Sequence, residues 1–222
     1  MSLLQQLFYK TARILQKKDF YLIKSLGAPF QFRIGPNTDY IRYATLQLCA
    51  EEIIEKKLTG ALAEVGVYKG DFAKRVHALM PEKKFYLFDT FEGFAPEDVA
   101  VERSKGFSDG TQDFSDTGIE LVRGKMVRPE NCIFRKGFFP QTAAGLEEAF
   151  CFVSLDADLY QPIYEGLKYF YPRLQPGGYI FIHDYNNAGY SGAKQAVREF
   201  CAVHNIHYVP IADTGGTAIL TK

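Results

Sequence analysis

The sequence carries no surplus of either charge: 26 lysines and arginines stand against 26 aspartates and glutamates. A protein that grips a nucleic-acid backbone usually has a basic excess, so DNA and RNA are disfavoured as partners. Cysteine is scarce. Cys49, Cys132, Cys151 and Cys201 are widely spaced and form no C-x-x-C pair, which excludes a zinc-ribbon spacing and a dense disulfide framework. They read as small buried hydrophobes in a reducing compartment. No apolar run approaches the ~18 residues that a membrane span needs, and the N-terminus lacks a signal-peptide core. These absences predict a cytoplasmic chain with no membrane partner. A dinucleotide fingerprint is missing too. G-x-G-x-x-G would need glycine at 68, where Tyr68 stands, and its ring would crowd a pyrophosphate. NAD is disfavoured.

What the chain does have is a series of short apolar runs separated by helical periodicity, enough for one domain with a sizeable core. From Gly60 the order is β-α-β: A-L-A-E-V-G-V (61–67) reads as a strand, 71–80 as a helix, and K-F-Y-L-F-D (84–89) as a second strand. N-C-I-F-R-K-G (131–137) reads as a third strand, with a helix expected after it through Leu146. F-V-S-L (152–155) and Y-I-F-I (179–182) are two more, joined by a helix and followed by another from Ser191 to His204. Strands this apolar belong in a parallel sheet covered on both faces. The tail, I-H-Y-V-P-I-A-D-T-G-G-T-A-I-L-T, reads as an antiparallel hairpin at the sheet edge.

Ahead of the sheet, residues 3–24 have the spacing of an amphipathic helix. Such a helix suits packing on the domain or on a second subunit, which makes a homodimer or larger assembly plausible, or else a membrane surface. Thr38 or Asp39 is placed to cap a second helix running to Lys57. The division expected is a helical extension over 1–37 and one domain over 38–222. The stretch 92–128 breaks the pattern, being long and polar with at most a turn or two of helix around Gly118–Arg123. It reads as a substrate-covering lid or a mobile insertion.

The chemistry gathers where the strands end. Asp156 and Asp184 close two parallel strands, so two carboxylates 28 residues apart are expected side by side. They would meet at the edge where open α/β sheets bind ligands. In E-V-G-V-Y-K-G (64–70), Gly66 and Gly70 let backbone approach a ligand, and the next helix presents its N–H groups. Asp89 ends the second strand, where an acid can accept from both hydroxyls of a ribose. Gly137 and Phe138 follow the third strand, where an adenine could be sandwiched; Phe138 and Phe139 suit the core nearly as well. A glycine turn without a phosphate fingerprint, joined to a ribose acid, suits S-adenosylmethionine, a nucleoside carrying an amino acid and no phosphate. Asp158 reads as the cap of a helix that begins near Gln161.

E-V-G-V-Y-K-G (64–70), F-D-T-F-E-G-F (88–94), F-S-D-T (114–117), K-G-F-F-P-Q-T (136–142), L-D-A-D-L-Y (155–160) and P-G-G-Y-I-F-I-H-D-Y (176–185) together resemble the macrocin O-methyltransferase family. The resemblance runs in order from about Thr38 to Asn187. It implies a Rossmann-like class I methyltransferase, with a mostly parallel seven-stranded sheet, helices on both faces and an antiparallel C-terminal hairpin. The activity implied is methyl transfer from S-adenosylmethionine to a sugar hydroxyl. With it go cofactor contacts from Glu64, Gly66, Tyr68, Gly70, Asp89, Thr90, Gly137, Phe138 and Asp156. A divalent metal, usually magnesium, is implied at Asp156 and the His183–Asp184 pair.

His183 departs from the family's two adjacent aspartates. Oxygen ligands suit magnesium, whereas an imidazole suits zinc, iron, manganese or no metal at all. His183 is thus a metal ligand, a base or a structural histidine. Methyl transfer from a sulfonium is an in-line displacement, so the enzyme must align and deprotonate the acceptor. Asp156 or His183 is the expected base. The competing readings are a catechol-type acceptor, a non-catalytic protein that keeps the fold, and a nicotinamide oxidoreductase.

Overall fold

The structure, a computed structural model, describes residues 3–17 and 39–222. The chain divides into two compact units, Met1–Gln31 and Phe32–Lys222. In the first, helix α1 spans Leu3–Gln16. The expected continuation to residue 24 and the glycine-proline punctuation at 27–29 and 35–37 lie outside the described residues.

The second unit holds a seven-stranded sheet, the strands of the described residues, in the order β3-β2-β1-β4-β5-β7-β6. Strands β1 (Ala61–Val65), β2 (Phe85–Asp89), β3 (Cys132–Lys136), β4 (Phe150–Leu155) and β5 (Leu174–Ile182) run parallel. β7 (Thr217–Thr221) is antiparallel to β5, and β6 (Val209–Ile211) pairs with β7 as the outer edge.

The alternation along each strand shows why the sheet is buried twice over. Ala61, Ala63 and Val65 of β1 join Tyr86 and Phe88 of β2 in one apolar layer, while Leu62, Phe85 and Leu87 face the other. The first layer is closed by α6 (Tyr160–Arg173) and α7 (Ser191–His204), through Ile163, Leu167, Phe170, Ala196 and Phe200. The second is closed by α2 (Tyr40–Glu55) and α3 (Asp71–Leu79), through Leu46, Ile53, Phe72 and Val76. Asp39 caps α2, its Oδ1 accepting from Arg42 N at 3.1 Å. Cys132, Cys151 and Cys201 are buried and Cys49 half-buried, all four as free thiols.

Three expectations need correction. No α-helix follows β3; a single 3-10 turn, Gln141–Ala143, takes its place. Gly137 at φ +130°, Pro140 and Gly145 at φ +71° interrupt the segment before a helix can propagate. The 92–128 stretch is more ordered than its polarity suggests. It contains α4 (Pro96–Ser104) and α5 (Ile119–Arg123). Pro96 pre-sets the first helical φ of α4, and Glu97 and Asp98 sit in its first turn, where acids suit the helix dipole. Finally, Asp158 does not cap α6. The cap position is Leu159, with no side-chain bond, and Asp158 lies in the left-handed region at φ +58°.

Candidate active site

The strand order reverses between β1 and β4, and their carboxyl ends open the crevice in which such sheets hold ligands. Gly66 makes that crevice possible. It sits at φ +82°, and a Cβ there would stand 2.2 Å from the carbonyl oxygen of Asp156. The end of β4 can therefore rise directly beside the β1 turn, with Asp156 N bonded to Val65 O at 2.8 Å. Gly70 is the N-cap residue of α3. At φ +74° it leaves room for Val122 of α5, and it does not line the cavity.

Asp89 clamps the same turn. Its Oδ2 accepts from Val67 N at 2.7 Å and Tyr68 N at 2.8 Å, and its Oδ1 from Phe91 N at 2.6 Å. Three of the about four acceptor positions of a carboxylate are thus occupied by backbone. Asp89 keeps acceptor capacity facing the cavity.

The acids at the ends of β4 and β5 form one cluster with two cations. Asp156 Oδ2 accepts from Arg42 of α2 at 2.9 Å, and Asp156 Oδ1 lies 3.0 Å from His183 Nδ1. The same ring nitrogen is 2.9 Å from Asp184 Oδ2, while His183 Nε2 donates to the carbonyl of Thr214 at 2.9 Å. Asn187 holds the other oxygen of Asp184 at 2.8 Å. Burial by itself favours neutral forms of Asp156 and His183. For Asp156 it is outweighed by Arg42 and His183, which hold the carboxyl well below the usual range. For His183 it is outweighed by the two carboxylates, which push the imidazole up to about 10. For Asp158, burial, then Asp184 and Asp156, outweigh the opposing pull of His183 and push its carboxyl up to about 9.

A cavity of about 380 Å³ connects this cluster to the first strand turn. Its walls include Glu64, Gly66, Tyr68, Asp89 and Thr90 from the β1 and β2 ends, and Gly137 and Phe138 from the β3 end. Asp156, Asp158, His183 and Asp184 complete the far wall. Every residue expected at the site from the sequence lines it except Gly70. Phe139 lines it too, but its ring is buried in the core, stacked on Phe170 at 5.9 Å. The 92–128 segment supplies Gly93, Phe94, Ala95, Asp98, Gln112 and Phe114 to the cavity wall.

That segment is pinned over the turn. The Tyr68 hydroxyl donates to Asp116 Oδ1 at 2.5 Å, Lys69 pairs with the other Asp116 oxygen, and Thr117 donates to the Tyr68 carbonyl. The T-shaped contact of Tyr68 on Phe114, at 5.0 Å, packs beneath these bonds. Arg42 is invisible to a sequence reading, and F-S-D-T marks Asp116 without its partners, because each acts across more than 40 residues of chain. Asp158 has a signal, as the second acid of L-D-A-D-L-Y, but in the sequence it reads as a helix cap.

Sheet order, glycine turn and acid-lined crevice are those of the class I methyltransferases. A model of the macrocin-O-methyltransferase (TylF) family matches residues 38–221. The chain belongs to that family and is an S-adenosylmethionine-dependent O-methyltransferase. It is 26% identical over 194 residues, 82% of this chain and 72% of the other, to a Streptomyces olivaceus protein named 8-demethyl-8-(2,3-dimethoxy-alpha-L-rhamnosyl)-tetracenomycin-C 4'-O-methyltransferase. It is 25% identical to the mycinamicin III 3''-O-methyltransferase of Micromonospora griseorubida, covering 74% of this chain and 69% of that one. Among solved structures, the O-methyltransferase NovP superposes with a TM-score of 0.68 at 22% identity, over 82% of this chain and 79% of that one. No helix among the described residues is long and apolar enough to cross a membrane.

Proposed function

We propose that this enzyme methylates a hydroxyl of a sugar unit on a small-molecule acceptor, with a divalent cation assisting. The observation that carries the reading is the acid cluster at the β4 and β5 ends, set directly beside the Gly66 turn. The names of the relatives, a rhamnosyl-tetracenomycin-C 4'-O-methyltransferase and the mycinamicin III 3''-O-methyltransferase, favour a sugar over a catechol.

The walls fit the cofactor. Glu64 is 1% exposed and its Oε2 has no partner, leaving a buried acceptor suited to the ammonium of the methionyl end. Asp89 would take a ribose hydroxyl, and Thr90, Gly137 and Phe138 would flank the base. S-adenosylmethionine supplies an electrophilic methyl group on a sulfonium.

The donor set also fits a cation. Asp156, His183 and Asp184 each turn one donor atom toward the others, with His183 Nδ1 3.0 Å from Asp156 Oδ1 and 2.9 Å from Asp184 Oδ2. The bond from His183 Nε2 to the Thr214 carbonyl holds the ring with Nδ1 toward the two acids, the orientation a metal-ligating histidine would need. Asp156, His183 and Asp184 would hold the ion, and a mixed nitrogen and oxygen set widens the choice beyond magnesium. A divalent cation, when bound, polarises a coordinated hydroxyl and lowers its pKa.

The proton then needs an acceptor. His183 has both nitrogens committed, and Asp156 is held ionised by Arg42, which makes it a weak base. Asp158 lies on the cavity wall beside the cluster and outside the proposed ligand set, which leaves it as the carboxyl free to take the proton. We assign Asp158 as base, Asp156 and Asp184 as orienting groups and His183 as a ligand. The latched 92–128 segment acts as a lid that excludes water, and the free buried thiols suit a reducing cytoplasm.

The test is calorimetric titration of metal-stripped protein with S-adenosylhomocysteine, with and without manganese or magnesium and with NAD as control. It is followed by methyl transfer to a rhamnosyl glycoside. Binding of NAD in place of the homocysteine product would end the reading.

A further inference from the structure

Helix α6 begins without a cap of its own. Its cap position, Leu159, offers no side-chain bond, and its third residue, Pro162, has no N–H. The acceptor that the first turn lacks comes from the lid. Glu102 of α4, 58 residues away in sequence and fully buried, accepts from Tyr160 N through Oε2 at 2.9 Å. Its Oε1 accepts from the Ser108 hydroxyl at 3.1 Å. Gly192, in the first turn of α7, leaves the space for this carboxylate. A Cβ there would stand 2.6 Å from both Glu102 oxygens and 2.9 Å from Tyr160 N. Phe107 fastens the same corner, its ring 5.3 Å from that of Tyr160. Glu102 thus does for α6 what a local cap residue would ordinarily do.

The capped residue follows a strained turn. Leu159 N donates to Ala157 O at 2.5 Å, closing three residues around Asp158 at φ +58°. Turns of this kind are rare, and left-handed backbone at a residue with a side chain costs about 1–3 kcal/mol, so it persists only where the surroundings hold it. An aspartate here has an easier alternative. Its carboxylate can accept from the N–H two residues on, which is Tyr160 N, and so cap the helix itself. In that arrangement it would leave the cavity wall, where it faces Asp184. Glu102 already occupies that N–H.

We infer that Glu102 is a positioning residue for methyl transfer: by capping α6 from the lid helix, it keeps Asp158 out of the capping role and turned into the cavity. The helix that covers the site thereby also holds the carboxyl that takes the proton. This inference rests on the assignment of Asp158 as base.

The experiment is a double-mutant cycle on the full chain, read as single-turnover methyl transfer to a rhamnosyl glycoside at saturating S-adenosylmethionine. Glu102→Leu fills similar volume without an acceptor and is expected to slow transfer by about tenfold to a hundredfold, the cost of a misplaced group. In an Asp158→Asn background the same substitution should change the rate by less than about twofold, because the carboxyl it would misplace is gone. Glu102→Gln keeps an oxygen for Tyr160 N and should recover most of the rate. Gly192→Ala, whose Cβ displaces the carboxylate, supplies the same cycle if the leucine variant fails to fold in thermal melts. A crystal structure of the slowed variant is expected to show Asp158 accepting from Tyr160 N. Asp158 unmoved in that structure, a folded variant at the wild-type rate, or an equal loss in both backgrounds would overturn the inference with Asp158 still the base. Asp158→Asn at the wild-type rate would remove the base assignment and this inference together.

Discussion

Replacing Asp156 with asparagine separates the two things this residue does. Its Oδ2 pairs with Arg42 at 2.9 Å, with side chains 10% and 20% exposed, and its Oδ1 faces His183 at 3.0 Å. Removing one member of a buried pair typically costs about 3–5 kcal/mol, because the other charge is left uncompensated. Asparagine retains an acceptor for Arg42, and Glu64 and Asp213 also act on that guanidinium. A loss of about 2–3 kcal/mol is therefore expected. At about 2–4 °C per kcal/mol for a domain of this size, the melting temperature should fall by roughly 4–12 °C. The variant should still fold, since domains hold about 5–15 kcal/mol. Calorimetric affinity for S-adenosylhomocysteine should be near that of the wild type, while single-turnover methyl transfer to a rhamnosyl glycoside falls at least a hundredfold. Adding Arg42→Met should recover stability without recovering turnover, because the stranded charge is gone and the orienting carboxylate is still missing. Undiminished turnover in Asp156→Asn would refute the assignment, and an unchanged melting temperature would refute the buried-pair argument.

Three further outcomes are expected. Gly66→Ala should lower the melting temperature by at least about 10 °C, because its Cβ meets the Asp156 backbone at 2.2 Å. Gly106→Ala, with a similar φ of +69° and nothing within 4 Å, should cost only about 1 kcal/mol by the same melt. Asp158→Asn should leave stability unchanged or raised, since burial and two neighbouring acids oppose its charge, yet slow the single-turnover rate by about 10²–10⁴-fold. Burial, with Glu97 and Glu102, pushes Asp98 up to about 7, above its unfolded value. The folded state therefore holds the extra proton, and the associated stability is full below about pH 4 and lost as pH rises through 7. Asp98→Asn should consequently gain about 2–4 kcal/mol over the wild type at pH 8 and nearly nothing at pH 4, read from denaturant melts.

The sheet was legible because its strands are marked twice, by apolar runs too short for helices and by the acids or glycines that end them. β1, β2, β4 and the Ser191–His204 helix fall within a few residues of their expected bounds. Local signals misled where two of them competed. The segment after β3 has helix-forming residues, but Gly137, Pro140 and Gly145 divide it below nucleation length. Polarity hid α4, although Pro96 and the two acids after it mark a helix start. An acid before a helix looked like a cap, but Asp158 is turned by its positive φ to face Asp184 instead.

By itself the sequence determined the class of protein, the strand succession and the juxtaposition of Asp156 with Asp184, since parallel strands carry their last residues to one edge. What only the tertiary structure decided is the electrostatic character of each acid. Arg42 reaches Asp156 across 114 residues, and the Thr214 carbonyl holds His183 across 31. The charge that one carboxylate keeps and the proton that its neighbour keeps depend on burial and on partners contributed by other elements. Those distances exist only once α2 and the C-terminal hairpin have closed on the sheet.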